Sequence, residues 1–286
     1  MVTNIISFIN MKGGVGKTTL CKEIGYYMNK IRGKTILFID LDPQANLTQS
    51  FFRKYKYKHK NQIDDEKTKK YTQTEVSIES LFKYSKIEEV DIDEIILSLD
   101  DGLDIIPGSL NAIFTERTTK DSILEKSLYN LIKNSSLRGK YEYIFIDCPP
   151  TYSAYTVAAL LPSDFYITPV KPDSYSILGI QMMKKVVADI ERANDLYFVA
   201  KPLKHLGVIF TSIPKNPEIG EIQTISKIKE SQFLKEKNMY IFSSNFMKKN
   251  DYFKNLSYFA VDSNSELLKE NLSIIIDELE ERIANE

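Results

Sequence analysis

Lys12-Gly13-Gly14-Val15-Gly16-Lys17-Thr18-Thr19 is the run of this 286-residue chain whose residue types and spacing suit phosphate chemistry. Glycines let backbone N–H groups converge on an anion, because no Cβ stands in the way. A helix beginning at the end of the run adds its positive N-terminal end to the same point. From that frame Lys17 can reach the β- and γ-phosphates of a nucleotide, and the Thr18 hydroxyl can ligate Mg²⁺. Residues 12–19 are therefore the expected cofactor cradle. Met11 stands where the ordinary phosphate-loop pattern has its first glycine, so the match is irregular. Gly-Gly-x-Gly-Lys-Thr is still improbable by chance at average residue usage.

Three carboxylates belong to the same chemistry. Asp40 and Asp42 follow the apolar run 35–39, and at i and i+2 they leave the strand end on one face. Asp147 follows the apolar run 143–146, at the carboxyl end of a second buried strand, where it can hold Mg²⁺ through water. Alone, an aspartate after a strand is as often a turn or a cap. Cys148 reads as a small buried residue with no chemistry of its own.

These residues need elements to position them. The spacing predicts strands at 4–9, 35–39, 103–106, 143–146, 165–168, 206–211 and 239–242. It predicts helices at 17–31, ended by Gly33, and near 123–133, 153–161, 177–193, 219–235 and 266–283. Strand alternating with helix implies an α/β fold, a mostly parallel central sheet with helices on both faces. Residues 1–286 read as one domain. Residues 53–71 break the rhythm, with basic residues alternating with aromatics and few aliphatics. They read as an exposed basic insertion, either an anion-contacting arm or, more commonly, a solvated loop.

Lys12, a lysine ahead of the paired glycines, resembles the deviant Walker A motif of the ParA/MinD superfamily of P-loop ATPases. The run from Asn10 to Thr19 is most similar to the ParA branch. Asp40-Leu41-Asp42-Pro43-Gln44-Ala45-Asn46-Leu47-Thr48 resembles the second motif of that family, and the segment 143–150 resembles its Walker B. The resemblance implies ATP and Mg²⁺ as cofactors and a homodimer closed face to face around two nucleotides. It implies that Lys12 reaches the partner's nucleotide, that Asp42 orients the attacking water, and that Asp40 lies near Mg²⁺ and Lys17. The catalytic set is then Lys12, Lys17 and Asp42, and the metal set Thr18, Asp40 and Asp147. The likeness is good over about 5–170 and thins beyond. The family's Ile-Pro-Arg-Asn segment at the adenine corresponds here to 245–250, which lacks the proline, so no base-contacting residues are assigned.

Composition narrows the branch. Lys+Arg 38 against Asp+Glu 39 gives a net charge of −1, so a nucleic-acid contact must come from a local patch. Two cysteines exclude a disulfide framework, and two histidines are too few for a histidine-built metal site. No apolar run approaches a membrane span, and a soluble, cytoplasmic protein is expected. The last helix has an acidic polar face that anionic lipid would repel, which disfavours MinD-like membrane binding. Its Leu272, Ile275, Ile276, Leu279 and Ile283 are expected inward. Cys21, inside the first helix, cannot ligate a cluster as in the nitrogenase iron proteins. With its first strand starting by Asn4, the chain resembles the short ParA class without a helix-turn-helix ahead of the phosphate loop.

The resemblance to ParA implies a nucleoid-associated, DNA-partitioning ATPase. Its ATP-bound dimer would bind nonspecific double-stranded DNA, and a ParB-like centromere-binding adaptor would trigger slow hydrolysis and release. The alternative is a nucleotide switch that positions a protein cargo or a membrane complex. Residues 181–260 hold 13 Lys/Arg against 8 Asp/Glu. Lys215, Lys248 and Lys249, with Lys254 beside them, follow predicted strands there and are the expected DNA contacts.

Overall fold

A computed structural model describes residues 2–60, 70–83, 91–118, 120–199, 201–248, 250 and 258–286. Its strands are β1 (Asn4–Phe8), β2 (Ile36–Asp40), β3 (Tyr57–His59), β4 (Thr72–Thr74), β5 (Leu97–Asp100), β6 (Leu103–Ile106), β7 (Tyr143–Asp147), β8 (Phe165–Val170) and β9 (Lys204–Phe210). The helices are α1 (Lys17–Arg32), α2 (Asn46–Tyr55), α3 (Glu79–Lys83), α4 (Ala112–Thr118), α5 (Asp121–Asn134), α6 (Leu137–Lys140) and α7 (Ala154–Leu160). They continue with α8 (Ser176–Ala193), α9 (Asp195–Phe198), α10 (Ile219–Lys229), α11 (Gln232–Glu236) and α12 (Glu266–Ala284).

Seven strands form one sheet in the order β5-β6-β2-β7-β1-β8-β9, all parallel except β5, which runs antiparallel to β6. The expected parallel α/β sheet is the one observed. Every residue of β2 and of β7 is buried, as near-continuous apolar runs require when both faces are covered. Alternate side chains go to opposite faces. Leu37, Ile39, Ile144 and Ile146 pack with α5, α7 and α8, whereas Ile36, Phe38, Tyr143 and Phe145 pack with α1, α2 and α12.

Helix α1 stops where Gly33 takes φ 66° and donates to Asn29 O, while Lys34 N donates to Met28 O. That is the left-handed glycine stop read from the sequence. The apolar residues expected inward on α12 are buried, apart from the half-buried Ile283. Arg32 of α1 ties the helix down through Asp277.

Three expectations change. Residues 239–242 make a single bridge, Ile241 to Val208, rather than a strand. A turn at Asn238 (φ 44°) and bends at Ser243 and Ser244 leave too little extended chain between them. The helix expected over 219–235 is two helices, because Ser231 leaves helical geometry and its hydroxyl accepts from Leu234 N, capping α11. The segment 53–71 starts within α2, and its described part includes β3, which pairs in parallel with β4 just beyond the segment and holds the buried Lys58. Its residues 61–69 lie outside the described residues.

Candidate nucleotide site

From β1 the chain runs to β2 on one side of the sheet, and from β7 it crosses to β8 on the other. Helices α1 and α7 then lie on opposite faces, and the carboxyl edge between β1 and β7 is the switch point at which α/β sheets take ligands. Register brings the edge residues level. Asp147 pairs with Phe8 on one side and with Asp40 on the other.

The loop between β1 and α1 is set by two glycines in left-handed geometry, Gly14 at φ 70° and Gly16 at φ 86°. A Cβ added at Gly13 or Gly14 would meet no protein atom within 4 Å, so the inner side of the loop faces open space. Thr211, at the end of β9, donates to Val15 O at 2.6 Å and pins the loop from behind. Asn10 donates to Pro169 O at 2.8 Å and accepts from Lys12 N at 3.0 Å, which ties the start of the loop to β8.

Lys17 is 6% exposed, and its ammonium lies 3.4 Å from Lys12 O with no carboxylate at ion-pair distance among the described residues. Burial lowers its proton affinity, against the pull of Asp147 and Asp42. Thr18 donates to Asp147 Oδ2 at 2.6 Å, while the other oxygen of this fully buried carboxyl has no partner. Burial, then the Asp40 charge, pushes Asp147 well above the usual carboxylate range. A buried oxygen with a free lone pair, a neighbouring hydroxyl and an unpaired buried ammonium fit a hard dication bound with an oxyanion. The residues present therefore fit Mg²⁺ and a nucleotide phosphate.

Asp42 accepts from Gln44 N at 2.9 Å, and burial raises its carboxyl. The Asp40 carboxyl, expected on the metal side, is turned mainly to the chain, which takes three of its acceptor positions. Oδ1 accepts from Asp42 N, and Oδ2 accepts from both Thr48 N and Thr48 Oγ1. Thr48 Oγ1 in turn accepts from Gly108 N, and a side chain at Gly108 would collide with the Asp40 carboxyl at 3.0 Å. Burial lifts Asp40 to about 7 against those hydrogen bonds. Burial and the Asp147 charge push the Cys148 thiol up to about 12, in keeping with a residue that has no chemistry.

Lys12 has its main chain at the phosphate loop, but its side chain leaves the loop and pairs with Asp173, three residues past β8. The sequence reading missed Asp173 and Thr211. Each follows an apolar strand at the same edge, as Asp147 does, and that was the available signal.

Residues 3–198 match the AAA domain family. A virulence plasmid ParA family protein of Chlamydia psittaci is 28% identical over 206 residues, 72% of this chain and 68% of that protein. This chain belongs to the ParA/MinD-type P-loop ATPases. Two solved structures share the fold of this ATPase. A plasmid partition protein of Borrelia burgdorferi B31 bound to AMPPNP is 24% identical, with a TM-score of 0.69 over 100% of this chain and 99% of that one. An ATP complex of a Cyanothece McdA variant is 17% identical, with a TM-score of 0.74 over 99% of this chain and 96% of that one.

Two of the ATPase's expected DNA contacts come together at this edge. Lys248 N donates to Ile213 O at 2.6 Å, and Lys215 follows two residues after Ile213. Both side chains are exposed, and among the described residues neither is paired with a carboxylate. Lys249 and Lys254 lie outside the described residues.

Proposed function

We propose that this ATPase, as one domain over 1–286, is an ATP- and Mg²⁺-dependent DNA-partitioning switch. Its ATP-bound homodimer holds nonspecific double-stranded DNA and lets go when a ParB-like centromere-binding adaptor stimulates slow hydrolysis. It works in the cytoplasm, on the nucleoid. The observation that carries this reading is the edge itself, where one face presents the phosphate loop, the aspartates and the unpaired Lys215–Lys248 pair.

Backbone N–H groups of residues 13–19 hold the phosphates, and Lys17 supplies the main counter-charge from a desolvated position. Thr18 and Asp147 would hold Mg²⁺, which when bound would supply positive charge against the phosphates. Asp42 orients the attacking water. Asp40, through Thr48, fixes the loop that carries Asp42. Lys12 acts on the partner's nucleotide, which makes closure of the dimer part of the active site.

The test is retention on nonspecific DNA. Retention with ATP and Mg²⁺ but not with ADP supports the reading, and equal binding with both overturns it. A second reading is a switch that positions a protein cargo or a membrane complex. It is favoured by the likeness to McdA, which is as complete as that to the partition protein. On that reading DNA is not the ligand that distinguishes ATP from ADP.

A further inference from the structure

We propose that Asp173 is a positioning residue for Lys12, an internal partner that competes with the second subunit's nucleotide for the Lys12 ammonium. It thereby sets the ATP concentration at which the dimer closes. This rests on the reading of Lys12 as a residue that acts across the dimer.

The contact is built at both ends. Asp173 Oδ1 accepts from Tyr175 N at 2.9 Å and from Ser176 Oγ at 3.2 Å, and Asp173 N donates to Ser176 Oγ at 2.8 Å. Those bonds fix the carboxyl at the head of α8 and leave Oδ2 for Lys12. On the other side, Asn10 holds the Lys12 main chain, so the freedom left is in the four-carbon stem. Among the described residues, Asp173 is the carboxylate within ion-pair reach of Lys12.

A carboxylate and a phosphate are both oxyanions, and one ammonium at full strength serves one of them. Half-exposed pairs of this kind are weak. Asp173 can therefore hold the lysine without trapping it. Burial nudges the Asp173 carboxyl up, but the bonds from Lys12 and Tyr175 outweigh it and hold that carboxyl below its ordinary range.

Two measurements on the full chain separate this proposal from the reading beneath it. The first labels lysines of the nucleotide-free protein with an acetylating reagent and follows Lys12 by peptide mass spectrometry, with Lys215 as internal reference. Asp173→Asn keeps the shape and the Oδ1 acceptor, and it should speed Lys12 labelling about two- to fivefold, the range expected for a half-exposed pair. Asp173→Glu should restore slow labelling. The second measurement is sedimentation against ATP concentration. Asp173→Asn should lower the midpoint of dimerisation by a similar factor, and Asp173→Glu should return it toward the parent value. Unchanged labelling, or a midpoint that stays put or rises in a protein that dimerises, overturns the role of Asp173 alone. If the parent does not dimerise with ATP and Mg²⁺, the dimer reading falls and this inference falls with it.

Discussion

Asp42 and Asp147 illustrate how two aspartates of one site separate by surroundings. Asp42 follows β2 on a turn in which it accepts from Gln44 N and keeps 7% exposure, while Asp147 is sealed at the end of β7 against Thr18. We therefore expect opposite phenotypes. Asp42→Ala should still bind ATP and accumulate as a dimer, with phosphate release down on the order of 10²-fold, because the water is no longer positioned. Asp147→Ala should bind nucleotide but need about 10–100-fold more Mg²⁺ to do so, the cost typical of losing support around a metal. Phosphate release and Mg²⁺ titrations of nucleotide binding measure the two. Wild-type turnover in Asp42→Ala would remove that carboxylate from the mechanism. At this scale spacing put Lys17, Thr18 and Asp147 at one edge, because the first two open the helix after the β1 loop and the third ends β7. It could not show that Asp40 turns to Thr48, since Thr48 and Gly108 reach it from other elements.

Helix α1 lies so close to the sheet that a Cβ on Gly25 would come 2.3 Å from Phe38 Cζ and 2.7 Å from Phe145 Cδ2. Overpacking costs about 1–3 kcal/mol, more than the roughly 1 kcal/mol that alanine gains over glycine inside a helix. Gly25→Ala should therefore destabilise the protein despite its better helix propensity, which urea unfolding would report. A parent-like midpoint would mean that α1 lifts freely from the strands. Two residues earlier, Glu23 is fully buried; Oε2 accepts from Ala260 N, whereas among the described residues Oε1 has no hydrogen bond and only the Lys22 ammonium at 3.8 Å. Burial raises its carboxyl to about 7 in spite of Lys22 and that N–H. An acid held more tightly by its proton in the folded state leaves stability intact below about pH 4.5, then erodes it as pH rises through 7, by up to ~3 kcal/mol. Glu23→Gln should flatten the decline between those limits. A decline in Glu23→Gln as steep as in the parent would assign it to another group. Nothing in the sequence marked Gly25 or Glu23, because helical periodicity says which face is inward but not how near the neighbouring element comes.

For the whole molecule, the proposed function asks where a chain of net charge −1 would meet DNA. Lys215 and Lys248 are exposed, unpaired among the described residues and joined through Ile213, and each dimer would present them twice. Contacts of this kind are to phosphates, independent of sequence, and weaken steeply with salt. Lys215→Glu with Lys248→Glu and Lys249→Glu should abolish DNA retention while ATP-driven dimerisation persists, as sedimentation with and without DNA would show. If that variant binds DNA normally and deletion of 53–70 abolishes binding instead, the insertion is the DNA arm.

Residue order alone was enough for the six parallel strands of the sheet, though not for its antiparallel edge strand β5, and for the phosphate loop and the edge on which it lies. Those follow from local facts, namely apolar runs long enough for covered strands, glycines where the backbone must turn left-handed, and charges one step past strand ends. Its reach ended where the chain folds back on itself. The near miss at 239–242 turned on bends either side of a single bridge to β9. The pairing of Lys12 with Asp173 joins residues 161 positions apart. That pairing, the pinning of the loop by Thr211 and the closure of Asp40 by Thr48 and Gly108 exist only because parallel strands bring every carboxyl end to one edge. Which of the side chains gathered there touch is set by register and packing, and these arise only once the chain has folded.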